Sequence, residues 1–191
     1  DSNKSMVMSG SGGILKLDNT LTLSGTLQMA GQSRLESGIL SFDSGILSVN
    51  QDLTISSALT HEDSSTIEID SGKRLKLESD FTVPDSKQMN FTGSGGVLEL
   101  GNTLTVEGTL EFAVPHTLDN GTVALNGGTL SVKQDVSVSS AITHSLDSTV
   151  DVSTDSTLTL TGGDIDVGAK TLTLSGGGSV ANQDQLILND P

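Results

Sequence analysis

The chain has 191 residues, 34% of them apolar, with four Phe, three His and no Trp, Tyr or Cys. That composition excludes disulfides and thiolate metal centres and leaves too few rings for an aromatic-rich globular core. The formal net charge of −15, with only nine Lys and Arg, argues against nucleic acid and anionic membrane surfaces as partners.

In chain order, the first predicted strands are Leu15-Lys16-Leu17 and Leu21-Thr22-Leu23, in which Leu points inward and Lys or Thr outward. The same short apolar–polar–apolar unit returns with inward residues at Leu27, Leu35, Leu40, Leu47, Leu53, Leu59, Ile67, Leu75, Phe81 and Met89, and Leu98 begins the series again. Gly, Ser, Asn and Asp fill the joints, where tight turns or a positive φ are needed. No window sustains the i, i+3, i+4, i+7 spacing of a helix, and no apolar run is long enough to span a membrane. Regular alternation also separates the chain from a disordered one of similar composition.

A shift of 83 residues lays Gly10–His61 on Gly93–His144 without a gap, with 27 of 52 positions identical. The register runs past both ends of that window. Lys4, Met6, Met8 and Gly10 match Lys87, Met89, Phe91 and Gly93, and again Lys170, Leu172, Leu174 and Gly176. Residues 1–191 therefore read as one solenoid with repeats 4–86 and 87–169 and a partial third repeat, 170–191, in which Ser179–Pro191 is a divergent coil or an end cap. Twelve strands per repeat, three to a turn, give four coils of about 21 residues. The expected fold is an all-β, right-handed parallel β-helix of about nine coils, a rod of roughly 45 Å. Tandem immunoglobulin-like sandwiches are the competing architecture, and the missing Trp or Tyr core and missing linker disfavour them.

Candidate chemistry is sparse, and no catalytic, cofactor-binding or metal-ligating residue is assigned. His61 and His144 are repeat-equivalent, which suits corner histidines, solvated or bonded to a backbone carbonyl; His116 stands opposite Ser33 and reads as a surface variation. Polysaccharide lyases on parallel β-helices cluster Asp with Arg or Lys, but Arg34 and Arg74 fall opposite Thr117 and Thr157. Asp147, Asp151, Asp155 and the stretch Gly162-Gly163-Asp164-Ile165-Asp166 resemble a calcium loop in broken form, so calcium is the weaker alternative to no cofactor. Asp43, Asp52 and Asp70 read as turn formers.

Dealt out in threes, the strands give one face the outward residues Thr22, Ser41, Thr60, Thr82, Thr105, Ala124, Thr143 and Asp166. Such a hydroxyl ladder is what ice-binding solenoids use, yet Ile39, Ala58 and Asp80 interrupt the Thr pairs seen at Thr20/Thr22 and Thr103/Thr105. Lys4, Lys87 and Lys170 form a repeat-equivalent series of solvated charges beside a strand edge.

The units Gly12–Leu27 (GGILKLDNTLTLSGTL) and Gly127–Ser140 (GGTLSVKQDVSVSS) resemble the strand repeats of bacterial autotransporter passengers and other large surface adhesins. The resemblance implies an extracellular, non-catalytic stalk or filament at a bacterial surface. The implied partners are further repeats of a longer chain or another copy stacked head to tail, with a surface glycan as the adhesin alternative. Met6–Met8 already lies in the phase of the repeat, so the strand edge there is expected to be covered by one of these.

Overall fold

The computed structural model describes residues 4–162, 165–166, 170–182 and 186–187. Among them are 27 short strands, all paired in parallel, and no helix. Each turn lays one strand on each of three faces, so the strands stack as nine coils of a β-solenoid. Face A holds, from coil 1 to coil 9, Ser5–Met8, Thr26–Met29, Ile46–Val49, Ser65–Ile69, Gln88–Gly93, Thr109–Phe112, Thr129–Val132, Ser148–Val152 and Leu172–Gly176. Face B holds Gly13–Lys16, Ser33–Glu36, Leu53–Ile55, Arg74–Leu77, Val97–Leu100, His116–Asp119, Val136–Val138, Thr157–Leu160 and Ser179–Ala181. Face C holds Thr20–Leu23, Ile39–Asp43, Ala58–Asp63, Phe81–Val83, Thr103–Val106, Thr122–Asn126, Ala141–Leu146, Ile165–Asp166 and Leu186–Ile187.

The twelve-strand rhythm of the sequence is the rhythm of the coils. From Leu27 to Leu98 every residue expected to point inward is buried; Leu15 and Leu21 are half-buried, since among the described residues their coil has a neighbour on one side only. Strands of two to six residues cannot hold together alone, and each is stabilised by the coils stacked against it. The joints turn where sequence and chirality allow it. Ser37 and Asn120, equivalent in the two repeats, sit at φ 60° and 59°, each followed by a glycine also at positive φ.

Coil length is uneven. On face A successive strands are offset by 20 or 21 residues within a repeat, and by 24 from coil 4 to coil 5 and from coil 8 to coil 9. Following the ladder from Ser5 through Thr26, Ile46 and Thr66 arrives at Asn90, two residues beyond the repeat-equivalent Gln88. Face B drifts likewise, from Leu15 through Leu35, Ile55 and Leu77 to Leu100, two beyond Leu98. A shift of one residue would turn every Leu to solvent, whereas a shift of two keeps each side chain on its own face.

Candidate functional site

The histidines are placed differently from expectation. His61 is not at a corner: it lies within the face C strand of coil 3, two residues after Leu59, and so points inward. Its ring is 6.0 Å from that of Phe81, which is itself 5.8 Å from Phe42, and neither ring nitrogen makes a hydrogen bond. His116 is not a surface variation either, being 4% exposed and packed against Phe91 and Phe112. Its Nδ1 lies 2.9 Å from the Val114 carbonyl, two residues back, the same offset at which the Ser33 hydroxyl donates to Gly31. The two equivalent side chains thus meet one local polar demand. Burial lowers the pKa of both His61 and His116, against an opposing influence from the Asp63 main chain and carboxylate at His61 and from the Val114 carbonyl at His116. His144 also lies within a face C strand and not at a corner, in coil 7, but it is half-buried and meets the other part of the expectation, with Nδ1 3.1 Å from the Leu146 carbonyl. Parity was the available signal: both buried rings stand two residues from an inward Leu, Leu59 or Leu118.

Arg34 and Arg74 lie on the outer side of face B, in a ladder of ion pairs that spans coils 2 to 6. Arg34 meets Glu36 at 3.2 Å and Glu78 at 2.9 Å; Arg74 meets Glu99 and, at 3.4 Å, Asp119. Lys76 joins Glu78 and Glu99 at 3.7 and 3.5 Å. The Ser139 hydroxyl, more than Arg74, holds the Asp119 carboxyl below its ordinary range. Every cation of the ladder is matched by carboxylates on an open surface, an arrangement suited to holding coils in register.

The aspartates do more than shape turns. Asp52 and Asp135, repeat-equivalent, accept the backbone N–H of Arg74 and Thr157 in the next coil at 3.0 and 2.8 Å. Asp80 and Asp147 do the same for Thr103 and Thr171. Asp70 accepts from Asn50, which in turn accepts from Gln28, so one polar row crosses three coils; Asp43 ends the face C strand of coil 2. Of the residues read as a broken calcium loop, Asp151 is held by Lys133 and Ser175, Asp147 caps Thr171, and Asp155 occupies a left-handed turn at φ 65°. Gly163 and Asp164 lie outside the described residues, as do parts of Ser179–Pro191. Among the described residues no three His or acidic side chains are grouped as a cation site requires.

The hydroxyl ladder does lie on one face. Thr22, Ser41 and Thr60 are paired across coils 1 to 3, and Thr82, Thr105, Ala124 and Thr143 across coils 4 to 7. A second row runs Thr20, Ile39, Ala58 and, after a gap, Thr103, Thr122, Ala141. Most of these positions hold small uncharged side chains, but Ser41 is buried, Glu62 is exposed on the coil 3 strand and the exposed Asp80 stands where the second row would cross coil 4. The hydrogen-bonded ladder is broken between coils 3 and 4, where face C divides into separate sheets.

Of the lysine series, Lys87 pairs with Asp63 at 3.2 Å, Lys170 is exposed, and Lys4 borders a depression of about 440 Å³ under coil 1, together with Met6, Leu21 and Leu27. No family model, curated protein or solved structure matches this chain.

Proposed function

We propose that the chain is a non-catalytic structural element of a bacterial extracellular surface, a stalk or filament whose rod grows by stacking coils end to end. The observation that carries this reading is the uninterrupted phase of the stack, in which coil 1 presents a coil edge of the same kind that coil 5 buries. The side chains that suggest chemistry have structural duties: His61 and His116 in the core, arginines in ion-pair ladders, aspartates capping strands of the next coil. The resemblance to surface-adhesin repeats supports the location. Electron microscopy of the full chain tests it: straight rods of constant width support a stalk or filament, and compact particles contradict it.

Face C favours a second reading, an adhesin module that binds a glycan or host surface. Its two rows are built mainly of short, uncharged Thr, Ser and Ala side chains, with Ile39 and Asp80 as interruptions, and such a surface meets a neutral partner with little charge to desolvate. A glycan array separates the readings. Binding that is lost on Thr105→Lys selects the adhesin, and no binding leaves the structural rod.

A further inference from the structure

Two asparagines of the chain precede a glycine, Asn120–Gly121 and Asn126–Gly127. In such a pair the glycine nitrogen, with no β-carbon beside it, can attack the asparagine carboxamide carbon and close a five-membered imide. The two pairs lie on the same coil, yet their surroundings are opposite.

Asn126 ends the face C strand of coil 6, and each reacting group there is held. Its Nδ2 donates to Glu107 Oε1 at 3.3 Å, and its Oδ1 accepts from the Ser145 hydroxyl at 2.7 Å. The attacking nitrogen, that of Gly127, donates to the Ser148 hydroxyl at 3.1 Å. Asn120 is exposed, at the corner that joins His116–Asp119 of face B to Thr122–Asn126 of face C. Among the described residues, neither its carboxamide nor the Gly121 N–H has a hydrogen-bond partner. The corner itself does not require asparagine. Ser37–Gly38 makes the same turn in the first repeat, with φ of 60° and 48° against 59° and 54° at Asn120–Gly121. Serine has no carboxamide, so the reactive pair belongs to the second repeat alone.

We propose that Asn120 is a site of spontaneous deamidation in the folded chain, and that Asn126 is shielded from the same reaction. The Gly121 nitrogen gives its proton to hydroxide or water and bonds to Asn120 Cγ; the Cγ–Nδ2 bond breaks and ammonia leaves. Water then opens the imide at either carbonyl, giving aspartate or an isoaspartate whose main chain is longer by one methylene. Ring closure needs rotation about the Asn120 Cα–C bond. Local opening of the corner supplies it, against two backbone hydrogen bonds of 3.1 Å, Thr122 to Asn102 and Ala141 to Gly121. Asn126 must in addition lose its three side-chain bonds. Either product places a new carboxylate next to Asp119 at the rim of face C, beside the row Thr103, Thr122 and Ala141.

Peptide mass spectrometry of the full folded chain, aged in mildly alkaline buffer, reads both sites in one sample. Deamidation at Asn120 is expected to run roughly tenfold or more ahead of that at Asn126, since three hydrogen bonds separate them. The gap should close in urea, where neither pair is held. Glu107→Ala combined with Ser145→Ala frees the Asn126 carboxamide and should speed its reaction while leaving Asn120 unchanged; an Asn126 that stays as slow would contradict the shielding. Equal rates in the folded chain, or a faster Asn126, would overturn the proposal. So would an Asn120 that stays intact while the urea-unfolded chain reacts.

Discussion

The two repeats share an interior plan but differ in what fills it. In the first, the aromatic cluster is Phe42, His61 and Phe81, on face C of coils 2 to 4; in the second it is Phe91, Phe112 and His116, on faces A and B of coils 5 and 6. The positions equivalent to the second cluster are Met8, Met29 and Ser33, and Phe42 is matched by Leu125. Outside, Arg34, Arg74 and Lys76 of the first repeat are replaced by Thr117, Thr157 and Thr159. What stays constant is parity, the carboxylates of Asp52 and Asp135 that cap the next coil, and the glycines wedged between coils. A solenoid of this kind is specified by alternation and by coil-to-coil fit, leaving volume within the core and charge on the faces free to be redistributed.

If this contrast is right, exchanging residues between repeats is mild and breaking their shared features is not. The largest effect belongs to Phe112→Ala, which opens a cavity beside Phe91 and His116 and should cost about 3–5 kcal/mol. Phe112→Met, which installs the residue found at Met29, should cost less than about 1.5 kcal/mol. Both are read from chemical denaturation midpoints. Next is Gly93→Val, which combines a disfavoured φ with a clash against the Ile69 carbonyl and should cost roughly 2–4 kcal/mol by the same measurement.

Acid should expose the third difference. His61 and His116 have folded-state pKa values below the ordinary value, so the unfolded chain binds more protons and stability is complete only above about pH 6.5. The groups facing His61 are Asp63 and Lys87, which are paired with each other; beside His116 lies Asp135, whose carboxylate caps Thr157. As pH falls through 6.5 toward 5, stability should decline by at most about 1.4 kcal/mol per pH unit for each ring. His61→Leu combined with His116→Ser should flatten that slope. Asp63, Asp119 and Asp151 have lowered pKa values, so their contribution is full above the ordinary carboxylate range and is lost as pH falls through that range and below it, which separates this window from that of the histidines. The smallest effect is Arg74→Thr, a swap to the residue at the equivalent Thr157; the ion pairs it removes are surface ones, and the thermal midpoint should shift by the equivalent of less than about 1 kcal/mol.

Strand count, coil length and the row of hydroxyls on face C were legible in the sequence because each depends on period-two alternation, which strands this short preserve from coil to coil. The dealing of strands in threes placed Thr22, Ser41 and Thr60 in one row, where the register puts them. The buried positions of His61 and His116 followed from the same parity but went against the polarity of the residue. The two-residue drift of register was not legible at all, since a shift of two leaves alternation unchanged. Nor was the division of face C after coil 3, since the alternation of Phe81–Val83 is the same as in the strands that do pair. The duty of Asp52 and Asp135 was hidden for a related reason: their partners lie one coil away, 22 residues along the chain.

A stack of strands only a few residues long makes a long, narrow particle, and electron micrographs of the full chain show directly whether it does so: straight rods of constant width, about 4.8 Å longer for each coil, are expected, and compact particles would contradict the stack.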